Sequence, residues 1–138
     1  MKYLLLKKLL NLIGQICLVA ILSVITQETS SGIAKCPYFD GIASWYAEFS
    51  PGILKTTANM EIFDHDGLTC AIWDVPFNTR LEVTNLENGE SVVVRVNDRG
   101  PAKRLCREGR VVDLSLAAFR AIADPDKGLI KVRVRVLD

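Results

Sequence analysis

The chain has 138 residues and a formal net charge of +1. That length suits one domain, and the near-neutral balance, without a basic cluster in the C-terminal part, gives no ground for a nucleic-acid partner. The N-terminus differs in kind from the rest: Lys7 and Lys8 precede a mostly apolar run from Leu9 to Ile25, and Thr26 to Gly32 is small and polar. Positive, apolar, then small and polar is the order of a secretory signal. The run is also about long enough to span a bilayer, so an uncleaved anchor is the alternative; Asn11, Gln15 and Cys17 weaken it as a permanent span. Residues 1–34 are therefore expected to be a signal peptide or anchor with its leader, and residues 38–138 the exported domain, with no lipid on Cys36.

Beyond the leader, Gly41 to Ala47 alternates and is rich in β-formers, which predicts a strand, and Ser50-Pro51-Gly52 breaks it. Thr56 to Asp66 is polar and irregular. Leu68 to Trp73 is a short apolar run, and Asp74 to Asn78 turns the chain. Arg80 to Asn85 alternates with Leu81 and Val83 on one face. Asn88-Gly89 is a hairpin signal, and Ser91 to Asn97 is the return strand. After a loop, Asp113-Leu114-Ser115 is expected to open a helix, with Asp113 or Ser115 as its cap. Asp124 to Gly128 ends that helix. Leu129 to Leu137 is the cleanest alternation: Ile130, Val132, Val134 and Val136 on one face, Lys131, Arg133 and Arg135 on the other, the basic face reading as a solvated sheet face.

Short, regularly spaced strands with one late helix predict a mainly β fold, a small closed barrel. The interior of such a barrel is filled by side chains, so a site must lie in a surface groove lined by loops and strand ends. Asp98 closes a strand just before Gly100-Pro101, Asp113 lies across the following loop, and Glu61 arrives from the polar loop. Three carboxyl groups converging on a groove are candidates for acid/base work. Trp45 and Tyr46 adjoin on one strand, and an outward aromatic beside the groove is a platform for a pyranose ring. Of four cysteines, Cys36, Cys70 and Cys106 lie beyond the leader. Three permit one internal bridge. Cys70–Cys106 is the favoured pair because both flank the loops around the candidate site; small buried side chains are the alternative. No C-x-x-C and no histidine cluster is present, so neither a metal nor another cofactor is expected.

Several blocks occur in one order: Gly41-Ile42-Ala43-Ser44-Trp45-Tyr46, Thr57 to Asp64, Leu68-Thr69, Pro76 to Thr79, Val83 to Leu86, Val94 to Pro101, and Val112 to Ser115. Together they resemble the rare lipoprotein A family, over about residues 41 to 138. The resemblance implies a six-stranded double-psi β-barrel with one or two short helices, related to expansins. It also implies endolytic lytic transglycosylase activity on peptidoglycan strands lacking stem peptides, leaving 1,6-anhydro ends. It supports Asp98 and Glu61 in acid/base roles; Asp113 is read as a third carboxylate, and Trp45, Tyr46, Thr57 and Arg99 as substrate-binding candidates. The expected partner is a glycan strand met as a monomer in the periplasm, cell wall or medium, with a membrane touched only through the signal or anchor. Two departures stand out: the family's usual histidine is Ile72 here, and its usual glycine before the glutamate is Met60. His65, the single histidine, reads as a loop residue. The alternative from another class is a non-catalytic, expansin-like carbohydrate-binding or wall-loosening barrel; a secreted effector or inhibitor built on the same scaffold is a third reading.

Overall fold

The computed structural model describes residues 38–137, so the leader, Cys17 and Cys36 lie outside the described residues. Six strands close into one barrel: β1 (Tyr38–Tyr46), β2 (Thr69–Ala71), β3 (Arg80–Asn85), β4 (Ser91–Asp98), β5 (Arg110–Ser115) and β6 (Ile130–Val136), in the order β1-β5-β2-β4-β3-β6. The β1/β5 and β2/β4 pairs are parallel and the other four antiparallel. Two short helices, α1 (Lys103–Arg107) and α2 (Leu116–Arg120), and a 3₁₀ turn at Pro125–Lys127 complete the described part. Among the described residues no helix is long and apolar enough to cross a membrane.

Period-two alternation explains most of this. Leu81 and Val83 of β3, Val94 and Val96 of β4, and Val132 and Val134 of β6 are almost wholly buried in one core. Each such side chain contributes roughly 1.5–3 kcal/mol of transfer free energy. The opposite face of β6 is solvated: Arg133 makes a fork of two 2.8 Å bonds to Asp40, and Arg135 bonds Glu82. Val136 departs from the expected pattern and is exposed: it still pairs with Leu81 of β3, but the pairing with β1 ends one residue earlier, at Arg135. The β3–β4 hairpin turns through Gly89 at φ 78°, a conformation glycine adopts without a Cβ penalty.

The expected helix start at Asp113 is corrected. Val112-Asp113-Leu114-Ser115 is strand: Val112 and Leu114 are fully buried, and β5 pairs with β1 on one side and β2 on the other. Ser115 caps α2. Its Oγ accepts from Ala118 N at 3.4 Å and donates to Gly67 O at 2.6 Å. The helical periodicity of Leu116 to Ile122 begins directly after the strand and masks the boundary. The loop after Pro101 also holds α1, which sequence alternation did not signal.

Candidate functional site

β4 ends on Asp98, whose Oδ1 accepts hydrogen bonds from Ala58 N at 2.9 Å and Arg99 N at 2.8 Å. Its carboxyl lines an open groove of about 410 Å³ together with Leu54, Thr57, Ala58, Met60 and Arg99. The 56–62 loop is brought here by a Thr56/Ile62 bridge and by Asn59 N donating to Asn97 O at 3.2 Å. Thr57 is buried, and its hydroxyl donates to Asn59 Oδ1 at 2.6 Å, which keeps it in service of the loop.

Glu61 belongs to the same loop, but its carboxylate is held elsewhere. Arg95 donates two 2.8 Å bonds to it and Asn97 Nδ2 a third at 3.2 Å. The Arg95 fork, with Asn59 and Asn97, holds its pKa down at about 2. A carboxylate clamped this way stays charged, which stands against a role as proton donor, and it ties the loop to β4. Arg95 and Asn97 were missed in the sequence, although their i, i+2 spacing puts both on one face of the strand.

Asp113 arrives by register. The parallel β1/β5 pairing sets it opposite Ser44, and the β2/β5 pairing sets it opposite Ala71, whose other partner is Asp98. Ser44 Oγ donates to Asp113 Oδ1, and Arg110 donates to Ser44 at 3.1 Å. Burial pushes the Asp113 carboxyl above its ordinary range; the Ser44 bond and Arg110 oppose the shift, and Asp98 adds to it. A Cβ on Gly100 would lie 3.1 Å from Ala71 Cβ and 3.2 Å from Asp113 Oδ2. The chain turns after Asp98 through a residue with no side chain because the second carboxyl is packed beneath it.

Neither residue of the aromatic pair lines this groove. Tyr46 is 7% exposed, with its ring stacked on Phe63 at 4.5 Å. Trp45 points the other way, packs against the barrel core and donates through Nε1 to Pro125 O at 3.0 Å. Exposed aliphatic side chains, Leu54 and Met60, line the groove instead. Arg99 reaches the groove, but its guanidinium lies 3.8 Å over the Phe77 ring and donates to Ile72 O at 2.9 Å. Ile72 is 2% exposed within the barrel core, and its N–H donates to Asp98 O at 3.3 Å. The backbone of residue 72 therefore holds the Asp98 carbonyl and the Arg99 guanidinium. His65 sits outside the groove, its Nδ1 3.3 Å from a Glu48 oxygen.

The expected Cys70–Cys106 bridge is also corrected: both thiols are free. Cys70 faces the core, where burial first and Asp113 second push its thiol up to about 12. Cys106, on α1, turns to Pro101 O at 3.3 Å.

A family model described as "Lytic transglycolase" matches residues 38–134. The chain is 48% identical over 97 residues to the probable endolytic peptidoglycan transglycosylase RlpA of Synechocystis, covering 70% of this chain and 28% of that protein. It is 43% identical over 98 residues to the endolytic peptidoglycan transglycosylase RlpA of Pseudomonas aeruginosa, covering 71% of this chain and 27% of the relative. The chain thus spans little more than a quarter of either relative's length. Among solved structures, a Clavibacter michiganensis expansin matches with a TM-score of 0.57 at 24% identity, over 73% of this chain and 50% of that one. A Streptomyces papain inhibitor matches with a TM-score of 0.57 at 23% identity, over 73% of this chain and 94% of that one. These two establish the fold, a double-psi β-barrel. With the family match running from the first residue of β1 into β6, the chain belongs to the lytic transglycolase family.

Proposed function

We propose that this barrel is an exported peptidoglycan lytic transglycosylase that cleaves glycan strands lacking stem peptides and leaves 1,6-anhydro ends. The observation that carries the reading is Asp98: it stands at a strand end in an open groove, one oxygen held by two backbone N–H groups. The names of the relatives, endolytic peptidoglycan transglycosylases, supply the substrate class.

One carboxyl suffices for the reaction. Protonated Asp98 gives its proton to the glycosidic oxygen as the bond to C1 breaks, and the charge developing on the ring is oxocarbenium-like. The Asp98 carboxylate then takes the proton of the C6 hydroxyl as O6 closes on C1. The proton is returned, no water is consumed, and the two products are a free hydroxyl end and a 1,6-anhydro end. Asp113 acts from behind Asp98, and Leu54 and Met60 offer aliphatic contact to the apolar faces of the sugars. The protein works as an exported monomer in this reading, in keeping with the sequence order at its N-terminus.

A second reading, a non-catalytic expansin-like barrel, is favoured by one observation. Asp98 is the one carboxyl among the residues lining the groove, and the position of the family's usual histidine is a buried isoleucine. Incubation with stripped glycan strands and analysis of the ends separates the two. Release of anhydro-ended fragments by the wild type, lost ~10²–10⁴-fold in Asp98→Asn with an unchanged thermal melt, supports the transglycosylase. Retained glycan binding without fragments moves the protein to the second reading.

A further inference from the structure

Tyr46 carries a feature that packing does not explain. Its hydroxyl is completely buried and makes no hydrogen bond. A buried, unpaired hydroxyl is costly, and a phenylalanine would serve the stack on Phe63 and the contact with Ala71 equally well. The titratable groups facing this hydroxyl come from three strands: Asp98 of β4, Cys70 of β2 and Asp113 of β5. Asp113 is itself engaged by Ser44 of β1 and neighboured by Arg110. Asp98 has one oxygen occupied by Ala58 N and Arg99 N. Tyr46 packs against Ala71, and Ala71 pairs with Asp98, which brings the Asp98 carboxyl to the side of the hydroxyl without a hydrogen bond between them.

We propose that Tyr46 is a positioning residue for Asp98: its hydroxyl donates a hydrogen bond to the Asp98 carboxylate when that group has given up its proton, and stands unpaired when the proton is back. As a role in cleavage this rests on the transglycosylase reading; as a coupling between two side chains it does not. Burial, reinforced by Asp98, Cys70 and Asp113, holds the tyrosine far above its usual range, so Tyr46 keeps its proton throughout and only the hydrogen bond is made or released. The donor stabilises Asp98 in the charged form, the form present while the sugar ring carries positive character. Proton delivery to the leaving oxygen is thereby favoured, and the hydroxyl takes no part in bond making.

The test begins with the carbon-13 resonance of the Asp98 carboxyl followed through a pH titration in wild type and Tyr46→Phe. Loss of the donor is expected to move the titration midpoint to higher pH, with the thermal melt unchanged or slightly raised. An unmoved midpoint overturns the proposal. Should Tyr46→Phe fold poorly, the Tyr46 ring carbon bearing the hydroxyl reports the same coupling in the native chain. Its shift should follow the Asp98 midpoint in the wild type and lose that inflection in Asp98→Asn, and an inflection present in both proteins overturns the proposal. In glycan cleavage, Tyr46→Phe is expected to lower kcat about tenfold with KM unchanged. The limb that falls as Asp98 loses its proton should move to higher pH. A rise in KM with no change in kcat, or an unmoved limb, overturns the positioning role. A moved midpoint together with a wild type that releases no anhydro ends upholds the coupling and removes the transglycosylase reading instead.

Discussion

The Arg95 guanidinium grips the Glu61 carboxylate with two bonds of 2.8 Å, from Nη1 to Oε1 and from Nη2 to Oε2. This fork joins the middle of a barrel strand to the loop that carries Ala58 to Asp98. Glu61 therefore acts on the groove through the shape of the loop, by keeping the Ala58 N–H where Asp98 needs it.

Glu61→Gln should loosen that loop. The pair is 37% and 40% exposed, so its contribution is screened and the expected loss of stability is at most about 1 kcal/mol. Its folded pKa of about 2 lies below the ordinary 4.5. The contribution is therefore complete above the ordinary value and disappears as pH falls toward 2. Thermal melts across that window should show the wild type losing more stability than Glu61→Gln. Equal slopes would contradict the clamp.

Asp113→Asn should show the opposite sign. Burial raises the Asp113 carboxyl above 3.8 in the fold, so the folded protein holds this proton where the unfolded chain releases it. The wild type then loses stability as pH rises through the folded value. An asparagine keeps an acceptor for Ser44 and carries no charge to bury. The melting temperature of the variant relative to wild type should therefore climb as pH rises above the ordinary aspartate range. A difference that stays flat with pH would show that the Asp113 charge is not paying a burial penalty.

Met60 occupies the left-handed region at φ 71° and is 80% exposed. A non-glycine residue there costs roughly 1–2 kcal/mol, partly offset by the backbone entropy that glycine loses on folding. Met60→Gly is expected to raise stability by up to about 1 kcal/mol, read by chemical denaturation. It should also weaken glycan binding, because Met60 is part of the groove wall. Lower stability in the variant would mean that the methionine side chain contributes more than the strain costs.

Ile72→His tests the departure from the family pattern. Ile72 is enclosed by the barrel core, and an imidazole placed there without a partner is expected to cost about 1–3 kcal/mol. Because residue 72 holds Asp98 and Arg99 through its backbone, cleavage should not rise. A variant as stable as wild type and more active would show that the imidazole reaches the groove.

The strands were legible wherever one face is buried and the other wet. Arg80–Asn85, Ser91 onward and the last strand declare themselves by alternation, which has a period of two whatever the strand pairs with. Asp98 was legible as a strand-end acid before a turn. Arg95 and Asn97 could have been read as a polar pair on one face, although nothing local names Glu61 as what they hold. The segment around Asp113 was misread because a helical pattern begins at Leu116 and its amphipathic spacing absorbs the strand before it.

The sequence by itself determined the alternating strands, the family blocks and the acid that ends β4, since these depend on periods and spacings within a few residues. Only the tertiary structure decided what each site residue does. It set Ser44 opposite Asp113 and Ala71 between both aspartates, turned the Tyr46 hydroxyl into the interior, clamped Glu61 as an anion, left Cys70 and Cys106 unbonded and enclosed Ile72 in the core. Each of these is a contact between segments far apart in the chain. The register that makes them is set by closing the barrel, where every strand must satisfy two neighbours at once.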